Sequence, residues 1–204
     1  MPKVKYREFV DTLRKASVFN SKVVAGVAGK GYSKLLLHNL RKRGEIIELI
    51  KGWYSFRKSP YLITIPLPES YIGLGSAAFI HGAWNTVASV NVLTTSAPRR
   101  LRTGERIIAG QKVIVRRISK KMYFGYELKY MEDAGGQIRV SDPEKTLIDM
   151  IYFNYPFRDE IFPELIKLCD KNKVKQYAEL TSKKRVKSWK KIGAEVGRMF
   201  DNAA

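Results

Sequence analysis

Between Ser33 and Lys42, five side chains able to meet a polyanion fall on one side of a helical pattern: Ser33, Lys34, His38, Arg41 and Lys42. Leu36, Leu37 and Leu40 fall on the other, so the spacing predicts an amphipathic helix with a basic outer face. Lys and Arg neutralise phosphates or donate to guanine edges, and Ser and His hydrogen-bond to either. Lys22, Lys30 and Tyr32 just upstream, and Lys51 downstream, complete this candidate nucleic-acid-binding set.

Other chemistry-bearing patterns do not assemble into a reaction. Glu127-Leu128-Lys129 is an E-x-K, the latter half of a metal-dependent nuclease signature, on a predicted strand. Such a site needs an upstream carboxylate to close the metal cage. Between Glu48 and Glu127 the acids are Glu69 and Glu105, neither in a strand-end P-D pair, and Asp is absent from that interval, so the segment reads as an exposed strand of alternating charge. Gly75-Ser76 lacks the following D-x-D with which a nucleotidyltransferase holds magnesium. No G-x-x-x-x-G-K-[ST], strand-following G-x-G-x-x-G or G-x-S-x-G occurs. Asp142, Glu144 and Asp149 have the spacing of a helix cap and ion pairs. The histidines His38 and His81 stand far apart, and His81 reads as a structural residue. The lone Cys169 excludes an intrachain disulfide and a cysteine-cluster zinc site. The expectation is a non-enzyme with no metal and no cofactor.

Charge supports a polyanionic partner. The 204 residues carry 38 Lys and Arg against 19 Asp and Glu, a formal net charge of +19, with a pI near 10.0. Self-repulsion of that size weakens a compact state, and nucleic acid is the commonest partner that offsets it. Residues 1–60 hold 14 of the basic residues against 4 acids, which concentrates the excess at the N-terminal end. Composition is 45% apolar and 11% aromatic, which argues against wholesale disorder. The N-terminus, MPKVKYREFV, has no apolar run behind it, and the charge-free stretch Ser70 to Pro98 is interrupted by Gly73, Gly75, Gly82, Asn85 and Asn91. No signal peptide or membrane span is expected, and the cytoplasm is the expected location.

The elements that must position the basic set follow. Residues 4–15 place Val4 or Tyr6, Phe9, Val10 and Leu13 on one stripe. Asn20-Ser21 caps a short second helix whose apolar face is read as Val23, Val24 and Val27. Gly29-Lys30-Gly31 turns the chain into the third helix, which ends at Gly44, and EIIELIKGWYSF suits a hairpin about Lys51-Gly52. Helix, helix, tight turn, helix and hairpin predict a winged helix-turn-helix over residues 1–58. The boundary is read at Arg57-Lys58-Ser59-Pro60.

Residues 61–204 predict an α+β domain with a small, mainly antiparallel sheet. Strands are expected at Val87–Thr95, Gln111–Ile118, Tyr123–Tyr130 and Ile138–Val140, with turns at Arg102-Thr103-Gly104 and Gly135-Gly136. Ser141 or Asp142 caps a helix with Pro143 in first position. Helices then fill about 159–200: Asp159–Asp170, Val174–Leu180 and Lys184–Phe200, the last with Val186, Trp189, Ile192, Val196 and Met199 on one stripe.

Four stretches, in this order, resemble the AbiEi-type antitoxin and transcriptional-regulator family of type IV toxin–antitoxin and viral-defence loci. They are Leu40 to Ile46 with Lys51-Gly52-Trp53-Tyr54; Tyr71 to Ala78, containing Gly73 and Ser76, with His81-Gly82; Tyr123-Phe124-Gly125; and Pro143 to Tyr152, containing Glu144, Lys145 and Asp149. The resemblance implies a DNA-binding repressor of its own promoter, acting on inverted repeats in double-stranded DNA. It also implies a C-terminal domain that counteracts a nucleotidyltransferase-like toxin, and no cofactor. The alternatives are a free-standing regulator and a non-specific nucleic-acid-binding accessory protein without a toxin partner. No heptad zipper is present, so the sequence leaves the oligomeric state open, pairing of two copies on adjacent DNA half-sites being one arrangement it allows.

Overall fold

The computed structural model describes residues 6–86, 88–95 and 101–201. Val4 and Val87, assigned from sequence to the first helix and to a strand start, lie outside them. Helix α1 (Arg7–Lys15) buries Val10 and Leu13. Strand β1 (Phe19–Asn20) leads into α2 (Ser21–Ala28), where the Asn20 carboxamide accepts from the backbone N–H groups of Lys22 and Val23 at 3.0 Å. Helix α3 (Lys30–Lys42) follows Gly29, whose φ of 77° makes the tight turn. It ends where Glu45 N donates to Leu40 O and Gly44 N to Arg41 O, with Gly44 at φ 67°. This is the glycine-terminated cap expected from the sequence. Strands β2 (Ile47–Ile50) and β3 (Trp53–Ser55) complete an antiparallel sheet of order β1-β3-β2, with Phe19 opposite Tyr54 and Ile47 opposite Ser55.

The small core beneath contains Val10, Leu13, Phe19, Val24, Leu36, Leu37, Leu40, Ile46 and Tyr54. Val23 and Val27 are not part of it: they are 48% and 54% exposed, and α2 instead buries Val24 and Ala28. One turn of α2 against α3 has room for a narrow face only, and the tight turn at Gly29 turns the i, i+4 pair Val24–Ala28 inward.

The remaining strands form a six-stranded sheet of order β6-β7-β5-β4-β9-β8. They are β4 (Ser70–Ile72), β5 (Val90–Thr94), β6 (Gly104–Ile108), β7 (Gln111–Arg117), β8 (Tyr126–Met131) and β9 (Gly136–Ser141). Pairs β4–β9 and β5–β7 are parallel and the other three antiparallel, so the α+β expectation holds while the sheet is mixed and larger than the sequence suggests. Strand β4 is too short to show a period, and β6 begins at the glycine read as a turn; the hairpin turn is Ala109-Gly110, at φ 52° and 77°.

Alternation sorts the two faces. Tyr71 and Leu93 face α4 (Leu74–Ile80), α5 (Pro143–Phe153), α6 (Arg158–Leu168), α7 (Lys171–Lys183) and α8 (Trp189–Asp201). Ile72, Val92, Val113, Val115, Ile138 and Val140 face the other way. That second core takes in Tyr61, Leu62 and Ile63 of the short 3-10 turn Pro60–Thr64, and also Leu49 and Ile50 of β2, with Trp53 packed against it. Residues before and after Pro60 therefore share a core. Polar ties reinforce it: Ser17 Oγ donates to Gly135 O at 3.1 Å and Ser59 Oγ to Asp133 Oδ2 at 3.0 Å.

The last helix starts later than its stripe suggests. Lys184 to Ser188 form a turn with Arg185 at φ 48° and Ser188 at φ 70°, while α7 runs on to Lys183. Cations are favoured at a helix C-terminus and disfavoured at an N-terminus. The run Lys183-Lys184-Arg185 accordingly closes α7 instead of opening α8. Among the described residues no helix is long and apolar enough to cross a membrane.

Candidate nucleic-acid interface

Helices α2 and α3, with the floor of β3, surround a basin of about 450 Å³. Its lining brings together Lys22, Lys30, Ser33, Lys34, His38 and Arg41 of the sequence-derived set, with Ser21, Ala25, Leu37 and Tyr54 between them. Lys22, Lys30, Lys34 and Arg41 are exposed cations, His38 is an exposed imidazole, and the buried Ser33 lies in the wall beneath them. The capped N-terminus of α2 and the following turn of α3 hold them on one surface, since residues three and four apart on a helix are neighbours. Lys42 is exposed on the last turn of α3, and Lys51 at the β2–β3 turn, where Gly52 O accepts from Ser21 N at 2.8 Å and ties the hairpin tip to the start of α2. Both lie outside the basin.

Two residues of the set do not face outward. Ser33 is 4% exposed, and its hydroxyl donates to Lys30 O at 3.0 Å, one turn back along α3. It belongs to the buried face with Leu36, Leu37 and Leu40. Period alone places Ser33 at the edge between faces, and packing of α2 onto α3 decides the side. Tyr32 is half-buried, and its ring stacks on Tyr6 with centroids 4.9 Å apart.

Two groups in the region were not part of the sequence-derived binding set. Glu48 Oε2 accepts from Arg41 Nη1 at 3.0 Å, while its Oε1 accepts the Gly52 N–H at 3.0 Å. It thereby pins Arg41 to the hairpin. Tyr54 forms part of the basin floor, and burial followed by the nearby Glu48 charge pushes its phenol pKa up. Neither shows a local signal, because α3 meets β2 and β3 only in three dimensions. At the end of α3, Glu45 accepts from Arg43 Nε at 2.6 Å and is also bonded to Arg14. Partial burial raises its carboxyl pKa, but the hydrogen bonds from Arg43 and Arg14 outweigh that and leave it below the ordinary value.

The family-motif residues converge on a different place. Lys145 and Asp149 of α5 form a fully buried ion pair one helical turn apart. Lys145 Nζ also donates to Tyr71 Oη at 2.9 Å, and Tyr71 Oη donates to Asp149 Oδ2 at 3.0 Å. Burial drives all three toward neutrality: it pushes Tyr71 well up, helped by the Asp149 charge, lowers Lys145 and raises Asp149. Gly125 abuts this triad at φ 66°, where a Cβ would fall 2.9 Å from both Lys145 Cβ and a Tyr177 ring carbon. The Tyr123 and Tyr126 rings close on each other at 4.8 Å, beside Tyr71. Burial raises the Tyr123 phenol to about 12, with the hydrogen bond to Tyr126 adding to it.

The other motif positions pack around the same framework. A Cβ on Gly73 would lie 2.8 Å from the Leu93 side chain. Ser76 Oγ donates to Ser89 O at 2.9 Å and accepts from Asn91 N at 2.8 Å. His81 Nε2 donates to Ser141 O at 2.7 Å, which leaves Nδ1 as the acceptor facing Lys129 Nζ at 3.4 Å. Burial, opposed by that hydrogen bond to Ser141, lowers the imidazole pKa. Pro143 begins α5 behind the Asp142 cap, whose carboxylate accepts from Lys145 N at 2.7 Å. Glu144 is buried but accepts from Asp170 N at 2.8 Å and pairs with Lys173, so its carboxyl stays below the ordinary value although burial opposes this. Cys169 donates to Leu165 O at 3.3 Å, and burial raises its thiol to about 12. Tyr71, Lys145 and Asp149 are cut off from solvent and fasten strand β4 to helix α5.

No family model matches the chain, and no curated protein matches it. A solved structure of similar fold is the crystal structure of the RV2827C protein from Mycobacterium tuberculosis, 17% identical, with a TM-score of 0.55, over 88% of this chain and 72% of that one. At that identity the likeness is one of fold: the α+β architecture described above is shared across most of both chains.

Proposed function

We propose that residues 6–58 are a winged helix-turn-helix and that the protein is a sequence-specific, DNA-binding transcriptional repressor. The observation that carries this reading is the convergence of Lys22, Lys30, Lys34, His38 and Arg41 about one basin on α2 and α3. The order α1-β1-α2-α3-β2-β3, with the sheet β1-β3-β2, supports it by offering α3 to a major groove and the β2–β3 turn to the flanking backbone. Lys34 and His38 then reach base edges, while Lys22, Lys30, Lys42 and Lys51 meet phosphates.

The resemblance carried by the four motif stretches extends the proposal. The protein acts in the cytoplasm as the antitoxin of a type IV pair, repressing its own promoter and neutralising a nucleotidyltransferase-like toxin through residues 61–204. Glu127 and Lys129 sit on an outer strand of the sheet, which fits a body without catalysis of its own.

The test is titration of the full chain onto its own upstream DNA and onto a scrambled duplex of equal length, followed by co-expression with the neighbouring gene product. Tighter binding to the upstream sequence and relief of growth arrest support the two halves of the proposal separately. Equal affinity for both duplexes overturns the first half, and unrelieved arrest with a folded protein overturns the second.

A further inference from the structure

Strand β8 ends the six-stranded sheet, with β9 on one side and, among the described residues, no strand on the other. Asp142 N donates to Gly125 O at 3.0 Å, one step beyond the Tyr126–Ser141 pair of the β8–β9 register. Antiparallel residues alternate between bonded and non-bonded pairs. The backbone groups of Gly125, Glu127, Lys129 and Met131 therefore face β9, and those of Tyr126, Leu128 and Tyr130 face away from it. The same three residues share one sheet face, where Leu128 is 63%, Tyr130 65% and Tyr126 39% exposed. An exposed strand edge invites another strand, and proteins usually blunt it with charged side chains, lysine above all, with a proline or with a bulge. Residues 126–131 contain no proline, and their register with β9 runs without a shift.

The edge is its own antiparallel complement. In Tyr126-Glu127-Leu128-Lys129-Tyr130, the outer positions are both tyrosine and the inner ones are of opposite charge. Turned about a two-fold axis at Leu128, each Tyr126 faces a Tyr130, each Glu127 faces a Lys129 and Leu128 faces itself.

We propose that β8 pairs with β8 of a second copy of this chain, antiparallel about a two-fold axis at Leu128, to give one sheet continuous through both protomers. Each of the pairs whose backbone faces outward exchanges two hydrogen bonds across the junction. The leucines meet between tyrosines on one face, and Glu127 and Lys129 make cross-strand ion pairs on the other. Lys129 Nζ is already held, by donation to Ile80 O at 3.2 Å, on the face where the second copy's Glu127 arrives. An interface that pairs one patch with itself closes at the dimer. The opposite edge, β6, lacks this symmetry: it reads Gly104-Glu105-Arg106-Ile107-Ile108, and its Glu105 is paired with Lys112 of its own chain at 2.7 Å. The inference rests on the strand edge and does not depend on DNA binding.

The experiment is sedimentation equilibrium of the full chain over a concentration series, beside disulfide trapping. Expected is a dimer whose dissociation constant rises at least tenfold in Leu128→Lys, in Tyr130→Ser and in Glu127→Lys, which opposes the second copy's Lys129. All three positions are exposed, and far-UV circular dichroism checks that each variant folds. Under mild oxidation Leu128→Cys gives a covalent dimer, the two Cα atoms facing at about 5.5 Å. Ile107→Cys, on β6 and 69% exposed, does not. A monomer at every concentration overturns the proposal, as does a dimer that none of the folded variants weakens, or trapping through Ile107→Cys equal to that through Leu128→Cys.

Discussion

Lys145 donates its ammonium to the Tyr71 hydroxyl across 2.9 Å, and neither side chain touches solvent. Tyr71 comes from β4 and Lys145 from α5, so this bond fastens the helical layer to the centre of the sheet. Asp149 completes the ring by accepting from both. Removing one member of such a set leaves the others buried and unpaired, which costs more than the set contributes. Asp149→Asn, or Asp149→Leu, is expected to destabilise by about 3–5 kcal/mol, and Tyr71→Phe by about 1–3 kcal/mol. Lys145→Met combined with Asp149→Leu is expected to recover most of the single-variant loss. Urea unfolding of these four variants and of Lys145→Met alone decides it, and a fully additive double variant contradicts the account.

Gly125 tests space and conformation together. Its φ of 66° resists a side chain, and so does the 2.9 Å approach that a Cβ at this position would make to Lys145 and Tyr177. Gly125→Ala is expected to cost about 2–4 kcal/mol. Gly82→Ala, at φ 77° but facing open space, is expected to cost about 1 kcal/mol. Equal losses in thermal unfolding would show that packing around Lys145 is not what selects glycine at 125.

The lowered pKa of His81 makes stability depend on pH in a stated direction. Burial disfavours the imidazolium in the folded chain, so below about pH 6.5 the unfolded chain takes up a proton that the folded chain resists. The contribution is present above the unfolded pKa and is lost as pH falls through the folded one. His81→Gln keeps a donor for Ser141 O and does not titrate. Its stability is expected to fall less than that of the parent between about pH 6.5 and 5, as read by urea midpoints across that range.

Glu48 restrains a cation of the proposed interface. Glu48→Gln keeps an acceptor for Gly52 N and removes the charge that pins Arg41. Affinity for any duplex is expected to rise several-fold at low salt. If about six phosphates are engaged, log affinity of the parent falls with log salt at a slope of about −5, and the variant's slope is steeper by about one. Fluorescence anisotropy at several salt concentrations measures both.

Within α3, side-chain burial separates the roles of neighbouring residues. Ser33→Ala is expected to leave operator preference unchanged, because its hydroxyl is spent on Lys30 O. Lys34→Ala and His38→Ala are expected to change which sequence is preferred, and Lys42→Ala to weaken all sequences alike. A competition assay against single-base operator variants distinguishes them.

Signals that live within a few residues were legible in the chain itself. Leu36, Leu37 and Leu40 gave α3 its inner face, Gly44 its end, Asn20 the cap of α2, and Asp142-Pro143 the start of α5, because each depends on period or on a cap that reaches two or three residues. The concentration of Lys and Arg before Pro60 needed no structure at all. Tertiary packing decided what depends on distant partners. Three-residue β4 is a strand because Tyr71 and Ile72 are held between β5 and β9, and β6 because β7 pairs with it. Ser33 lies inside and Val23 outside because α2 leans on α3 along one narrow face. Leu49 and Ile50, which look like ordinary hairpin residues, join the core of the body, so the apparent boundary at Pro60 is covered. The motif stretches around Tyr71, Gly125 and Lys145 meet for the same reason: burial gives an ion pair and a hydroxyl their value only when sheet and helix close over them, and no spacing along the chain encodes that closure.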